Sequence, residues 1–185
     1  MDEKTVSLSS YPDLTIYENQ LNNYPEIQGS GGSCWAAVVA SMVQYELGGS
    51  ISPAHIYDAV HFEYGTGAGA STIKLALELC LPSIYLPTYY SRRMNNSEIR
   101  VIIDNNDPAC MLAESTNTGE SVGHATALCG YKLSSYDNNL FNSVTIMEPH
   151  YQCIRTISAM SPNITYSIDE YVFQWNETIR LLYNT

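Results

Sequence analysis

The segment Gln28-Gly-Ser-Gly-Gly-Ser-Cys34-Trp35-Ala36 holds the residues whose types and order best suit covalent chemistry. Ser33 reads as an N-cap and Cys34 as the first residue of the helix that follows. Trp35, Val38, Val39, Met42, Val43 and Leu47 then recur at three-to-four spacing, and Gly48-Gly49 supplies a stop. A thiol in the first helical turn meets backbone N–H groups that lack intrahelical partners and the positive end of the helix dipole, both of which favour the thiolate. The thiolate, not the thiol, attacks carbonyl carbon. Gln28, six residues before Cys34, carries an amide N–H able to face a developing oxyanion beside the Cys34 backbone N–H, and the glycines between them let a substrate backbone come close. A buried cysteine opening a core helix is the bland alternative, and for a Cys-Trp pair alone it is the commoner one. The full string favours the reactive reading.

A second segment, Val122-Gly123-His124-Ala125, opens a run through Tyr131 that reads as a strand. An imidazole at a strand start can reach across a cleft to a thiolate on a helix, take its proton and later protonate a leaving amine. Small Ala125 leaves room for that approach. A lone strand-start histidine is more often a plain hydrogen-bonding residue, so its chemistry rests on the conjunction with Cys34. His55 and His61 are six apart, hence on different faces of one helix where a metal pair wants four, and no metal or organic cofactor is expected.

These residues need elements to hold them. After the Cys34 helix, Ser52-Pro53 announces a second helix ending near Gly65, Ser71-Thr72 a third over Ile73–Leu79, and Ser97-Glu98 a fourth over Ile99–Ile103. From Pro108 onward the pattern turns strand-like over Ala109–Ala113, His124–Tyr131, Val144–Met147 and Cys153–Ile157. Ser167-Ile-Asp-Glu170 reads as a helix start, and Thr178–Tyr183 as a closing strand. Helices first and an antiparallel sheet afterwards predict an α+β fold, a helical half packed on a sheet half with a cleft between them.

The chain has 185 residues, enough for one domain, with 45% hydrophobic and 15% charged residues. Lys+Arg number 8 against Asp+Glu 19, a net charge of −11, which repels phosphate backbones and excludes nucleic acid as an expected partner. That charge suits basic substrates and equally suits solubility alone. No apolar run approaches the ~20 residues that span a bilayer. The first ten residues lack the basic and apolar regions of a secretory signal, so the protein is expected either to stay inside the cell or to have lost a signal. Only three lysines accompany 15 tyrosines, a composition that correlates with exported or cell-surface bacterial proteins. The five cysteines contain no CxxC, so neither a disulfide framework nor a zinc ribbon is indicated, and at least one thiol stays unpaired in a monomer.

Together, QGSGGSCWA and GHATALCGY resemble the nucleophile and histidine motifs of the papain-like cysteine peptidases. The resemblance implies Cys34 as nucleophile, Gln28 as oxyanion-hole side chain and His124 as general acid/base. Val144-Thr-Ile-Met-Glu148-Pro149-His150 resembles the strand ending in Asp-Pro of compact bacterial members related to bacteriocin-leader-cleaving peptidases, with Glu148 in the aspartate's place. Asn142 is the competitor, having the residue type of the larger enzymes; it is expected in the polar SSYDNNLFN turn, and a strand end fixes geometry better. By position, the Gly65–Gly69 loop resembles the family segment whose backbone pairs with an extended substrate, which would make Gly67 and Gly69, with Gly123 across the cleft, substrate-binding; a helix C-cap is an equal alternative. The family's cysteine three residues before the nucleophile is replaced by Gly31, and the interval from Cys34 to His124 is 90 residues, shorter than in the larger enzymes. The expected organisation is an N-terminal extension over 1–27 and a papain-like domain over 28–185.

Three functions fit these residues. A thiol peptidase would hydrolyse an acyl-enzyme on Cys34, acting as a monomer on peptide or protein substrates. An acyltransferase, a deamidase or a leader peptidase specific for one partner would use the same intermediate. A catalytically silent binding module of the same fold is the third, and the joint presence of Gln28, Cys34 and His124 argues against it.

Overall fold

A computed structural model describes residues 3–9, 32–117, 119, 122–137 and 139–184. Helix α1 spans Cys34–Leu47 and is buried from Cys34 through Val43. Its sequence is apolar on every side, as a helix wrapped by other elements must be. Val38, Val39, Met42 and Val43 are each fully buried, worth ~1.5–3 kcal/mol apiece. Gly48 ends it at φ 69°, its N–H bonding the Gln44 carbonyl at 2.8 Å. Helix α2 (Pro53–Val60) starts on proline and stops at His61 in the left-handed conformation, short of the expected end near Gly65. Helix α3 is Ala70–Cys80 and α4 is Asn96–Asp104. In α4 a reciprocal cap fixes the start: Asn95 Oδ1 accepts from the Glu98 N–H at 2.9 Å, and the Glu98 carboxylate accepts from the Asn95 N–H at 2.8 Å.

The strands are β1 (Glu3–Thr5), β2 (Tyr85–Tyr90), β3 (Ala109–Ser115), β4 (Gly123–Leu133), β5 (Phe141–Glu148), β6 (Cys153–Ser158), β7 (Thr165–Ile168) and β8 (Tyr171–Tyr183). They form one antiparallel sheet in the order β2-β8-β3-β4-β5-β6, with β1 against β4 and β7 against β8. Helix α1 packs on β3 and β4, with α2 and α3 alongside it. Val6 and Leu8, which follow β1, are buried in the core, so part of the segment read as an extension lies on the domain.

Two expectations are corrected. Ser167 through Glu170 is not a helix start: Ser167 and Ile168 end β7, and Asp169, at φ 50°, and Glu170 make the turn of the β7–β8 hairpin. The Ser-x-x-Glu signature is present, yet the flanks Thr165–Ile168 alternate exposed and buried, and Tyr-Val-Phe-Gln-Trp continues in aromatic and β-branched residues; period two outweighs the local cap signal. Asn142 lies not in a turn but in β5, exposed, six residues from Glu148 and so about 20 Å away along the strand. Strand β2 carries no expectation because Pro87 interrupts its pattern; among the described residues it pairs only with β8 and stands at an edge, where proline is tolerated.

At the end of α1 remote from Cys34, Glu46 faces Tyr85 of β2 and Asp107. Tyr183 of β8 donates to Asp107 Oδ1, and Tyr45 donates to the Asn106 carbonyl at 2.6 Å. Burial first, then the Asp107 charge, push the Glu46 carboxyl up from 4.5 to about 7 against a hydrogen bond from Tyr85. The negative end of the helix dipole acts in the same direction. A carboxyl raised on folding contributes stability that is complete below about pH 4.5 and lost as pH rises through about 7. Glu46→Gln is therefore expected to raise Tm at pH 8 by about 2–4 °C, after discount for solvent screening, and to change it little at pH 5. Thermal melts at the two pH values check this; an equal shift at both would assign the effect to packing.

Candidate active site

Cys34 is the first residue of α1, and its side chain is 5% exposed at the mouth of a cleft of about 240 Å³ between the helices and the sheet. Ser33 occupies the N-cap position, but its hydroxyl does not cap the helix; it receives the Tyr57 hydroxyl at 3.2 Å. Across the cleft, the Ala125 N–H of β4 points at Cys34 Sγ at 3.4 Å, bringing the neighbouring imidazole alongside the sulfur. His124 Nε2 meets Glu148 Oε1 at 2.6 Å. The remaining ring nitrogen, Nδ1, is then the one available to Cys34, with which the imidazole is coupled by a hydrogen bond and by charge. Burial alone would lower the His124 pKa; the Cys34 and Glu148 interactions outweigh it and lift the imidazole to about 10. The site therefore favours imidazolium whenever the sulfur is negative.

Glu148 ends β5 fully buried, and its Oε1 also accepts the His150 N–H at 3.0 Å. Two contacts to one oxygen hold the carboxylate against the ring. Tyr166 and Phe173 pack on the imidazole with ring centroids at 6.2 and 5.4 Å, shielding the pair from water. Burial first, then the charges of Glu148 and Cys34, hold the Tyr166 phenol well above 10, so its hydroxyl stays protonated. Glu148 Oε2 is buried with no hydrogen-bond partner among the described residues, and the Thr126 hydroxyl faces that of Tyr166.

The glycine loop is tied down from behind. The Trp35 indole N–H and the Tyr57 hydroxyl both reach the Thr66 carbonyl at 2.9 Å, and Tyr57 also reaches the Gly32 carbonyl at 3.2 Å. Gly65 is not a helix cap: α2 has already ended at His61. Gly67, Gly69 and Gly123 all line the cleft, and Gly69 is also the N-cap of α3. Gln28 lies outside the described residues.

Neither a protein-family model nor a curated protein sequence matches the chain. Among solved structures it is similar to the peptidase domain of Streptococcus ComA, a bi-functional ABC transporter involved in a quorum sensing pathway. That likeness has a TM-score of 0.53 at 17% sequence identity and covers 85% of this chain and 96% of that one. The chain has a papain-like fold. In papain-like terms, the helix half contributes the thiol and the sheet half the imidazole and its carboxylate.

Glu114 and Glu177, which no reading of the sequence singled out, also line the cleft, and Tyr166 packs on His124 behind it. No motif marks them.

The five thiols differ in setting. Burial raises Cys80 and Cys110, and raises Cys129 to about 12, whereas Cys34 borders the cleft beside His124. Brief iodoacetamide treatment at mildly acidic pH is expected to label Cys34 first. Peptide mapping checks it, and earlier labelling of half-buried Cys153 would remove Cys34 from the nucleophile's role.

Proposed function

We propose that this protein is a cysteine peptidase in which Cys34 is the nucleophile, His124 the general acid/base and Glu148 the group that orients it. The observation that carries the reading is the buried line Cys34–His124–Glu148, with the 2.6 Å His124–Glu148 contact on one side of the ring and the thiol on the other. Cys34 Sγ attacks the scissile carbonyl carbon, the C=O electron pair moves to oxygen, and the oxyanion faces the Cys34 N–H and, we propose, the Gln28 amide. Collapse breaks the C–N bond as the imidazolium gives its proton to the leaving amine. Water, deprotonated by the neutral imidazole, then hydrolyses the thioester and restores the thiolate–imidazolium pair. Throughout, Glu148 holds the Nε2 proton in place and offsets the imidazolium charge without taking that proton. Gly67 and Gly69 present backbone on one wall of the cleft and Gly123 on the other, where an extended substrate can lie.

The narrower reading, a peptidase dedicated to one partner protein, draws on the likeness to a transporter's peptidase domain. The test is digestion of a proteome-derived peptide library by the wild-type protein and by Cys34→Ala. New termini from the wild type alone support the proposal; none, or equal cleavage by both, would leave a binding module as the better description.

A further inference from the structure

Strand β8 changes register beside the cleft. Ala113 of β3 stands opposite Trp175 and Leu112 opposite Glu177, so Asn176 is an extra residue, a bulge. Residues two apart in a regular strand share a face, yet here Trp175 takes the face of Ala113 and Glu177 the face of Leu112. A strand continuing the Ala113–Trp175 register would set Asn176 opposite Leu112; the bulge sets Glu177 there instead, where it lines the cleft. The position is braced: the Trp175 indole donates to the Glu177 carbonyl at 2.8 Å and to Thr178 Oγ1 at 3.0 Å, and the Tyr89 hydroxyl of β2 donates to Glu177 Oε1. Glu114, exposed and two residues along β3 from Leu112, lines the same cleft. Among the described residues neither carboxylate is in an ion pair. Trp35 and Leu112 give the cleft apolar wall between them.

On the reading of this cleft as a peptidase site, the geometry points to Glu177 as a specificity-determining residue that receives a lysine or arginine side chain beside the scissile bond. A long methylene stem lies along Trp35 and Leu112 while its cationic head reaches the carboxylate oxygen that Tyr89 leaves open. Glu114 adds negative potential at the entrance. A cleft of about 240 Å³ holds only the residues nearest the bond, so the preference falls there and not at distant positions.

The test uses matched peptides that carry lysine, norleucine or glutamate at each position flanking the cleaved bond. For the wild type, kcat/KM for lysine over norleucine is expected to exceed about tenfold at one position. Glu177→Gln should bring that ratio close to one, Glu177→Lys should turn it towards glutamate, and Glu114→Gln, at an exposed site, should lower it less. Ratios within one variant are independent of how much protein folds. Binding of the same peptides to Cys34→Ala protein, followed by fluorescence anisotropy, reads the site without turnover. Cleavage with no lysine preference, or with a preference that Glu177→Gln leaves intact, overturns the inference and leaves the peptidase reading standing. Absence of cleavage by the wild type, with lysine-selective binding that Glu177→Gln abolishes, overturns the peptidase reading and leaves the basic-side-chain site standing.

Discussion

Glu148→Gln is expected to lower kcat by between about 10² and 10⁴ while leaving KM nearly unchanged, a loss smaller than that from Cys34→Ala. The substitution isolates charge. An amide oxygen at the Oε1 position can still accept from His124 Nε2 and from the His150 N–H, now at 2.6 and 3.0 Å, and the amide N–H₂ falls where Oε2 has no partner among the described residues. The ring should therefore keep its place and its tautomer. What disappears is the negative charge that helps lift His124 to about 10, so the imidazolium is less available to the sulfur and to the leaving amine. Asn142→Ala, on an exposed residue about 20 Å along β5, should be mild. Steady-state kinetics of the three variants settle the matter: equal kcat for wild type and Glu148→Gln would make the carboxylate a structural residue only.

Gly32→Ala is the second change with a large expected effect. A Cβ at that position would stand 1.8 Å from the Gly65 carbonyl oxygen and 2.8 Å from the Gly67 nitrogen, backbone atoms that no side-chain rotation can move away. The loop would have to leave its seat, breaking the bonds of Trp35 and Tyr57 to the Thr66 carbonyl. A loss of about 3 kcal/mol, or about 6–12 °C in Tm, is expected, at the upper end for overpacking because backbone meets backbone. Gly69→Ala is the control: its Cβ would meet nothing within 4 Å, and its Tm should stay close to wild type. Similar melting of Gly32→Ala and wild type would contradict the close approach.

Much of this site was legible in the sequence because its signals are local. The thiol after Ser33 and the histidine at the head of a strand-like run are marked within a few residues, and the resemblance of their flanking strings, with that of the strand ending in Glu148, joins them into one site. The α+β division followed from the change of period near Pro108. What stayed hidden depends on pairing between distant segments. Asn176 is a bulge only in relation to β3, so nothing in the Trp-Asn-Glu string showed which way Glu177 points. Strand β2 is credible only as an edge, which its own residues, broken by Pro87, cannot declare. The Ser167 segment misled because a helix-start signature and a hairpin turn use the same polar residues, and the flanking alternation decides between them.

The division of the machinery between two layers has a consequence for how the protein would fail. The sulfur rides on α1, while the imidazole and its carboxylate ride on adjacent strands β4 and β5. Each layer keeps its own backbone ladder, and only the seating of the helix on the sheet aligns the reacting atoms. An opening of an ångström or two between them would leave every helix and strand hydrogen bond intact yet separate thiol from base, so competence is governed by the free energy of that sub-global opening and not by the stability of the whole molecule. Amide exchange could show two near-native layers in a protein that has already stopped working.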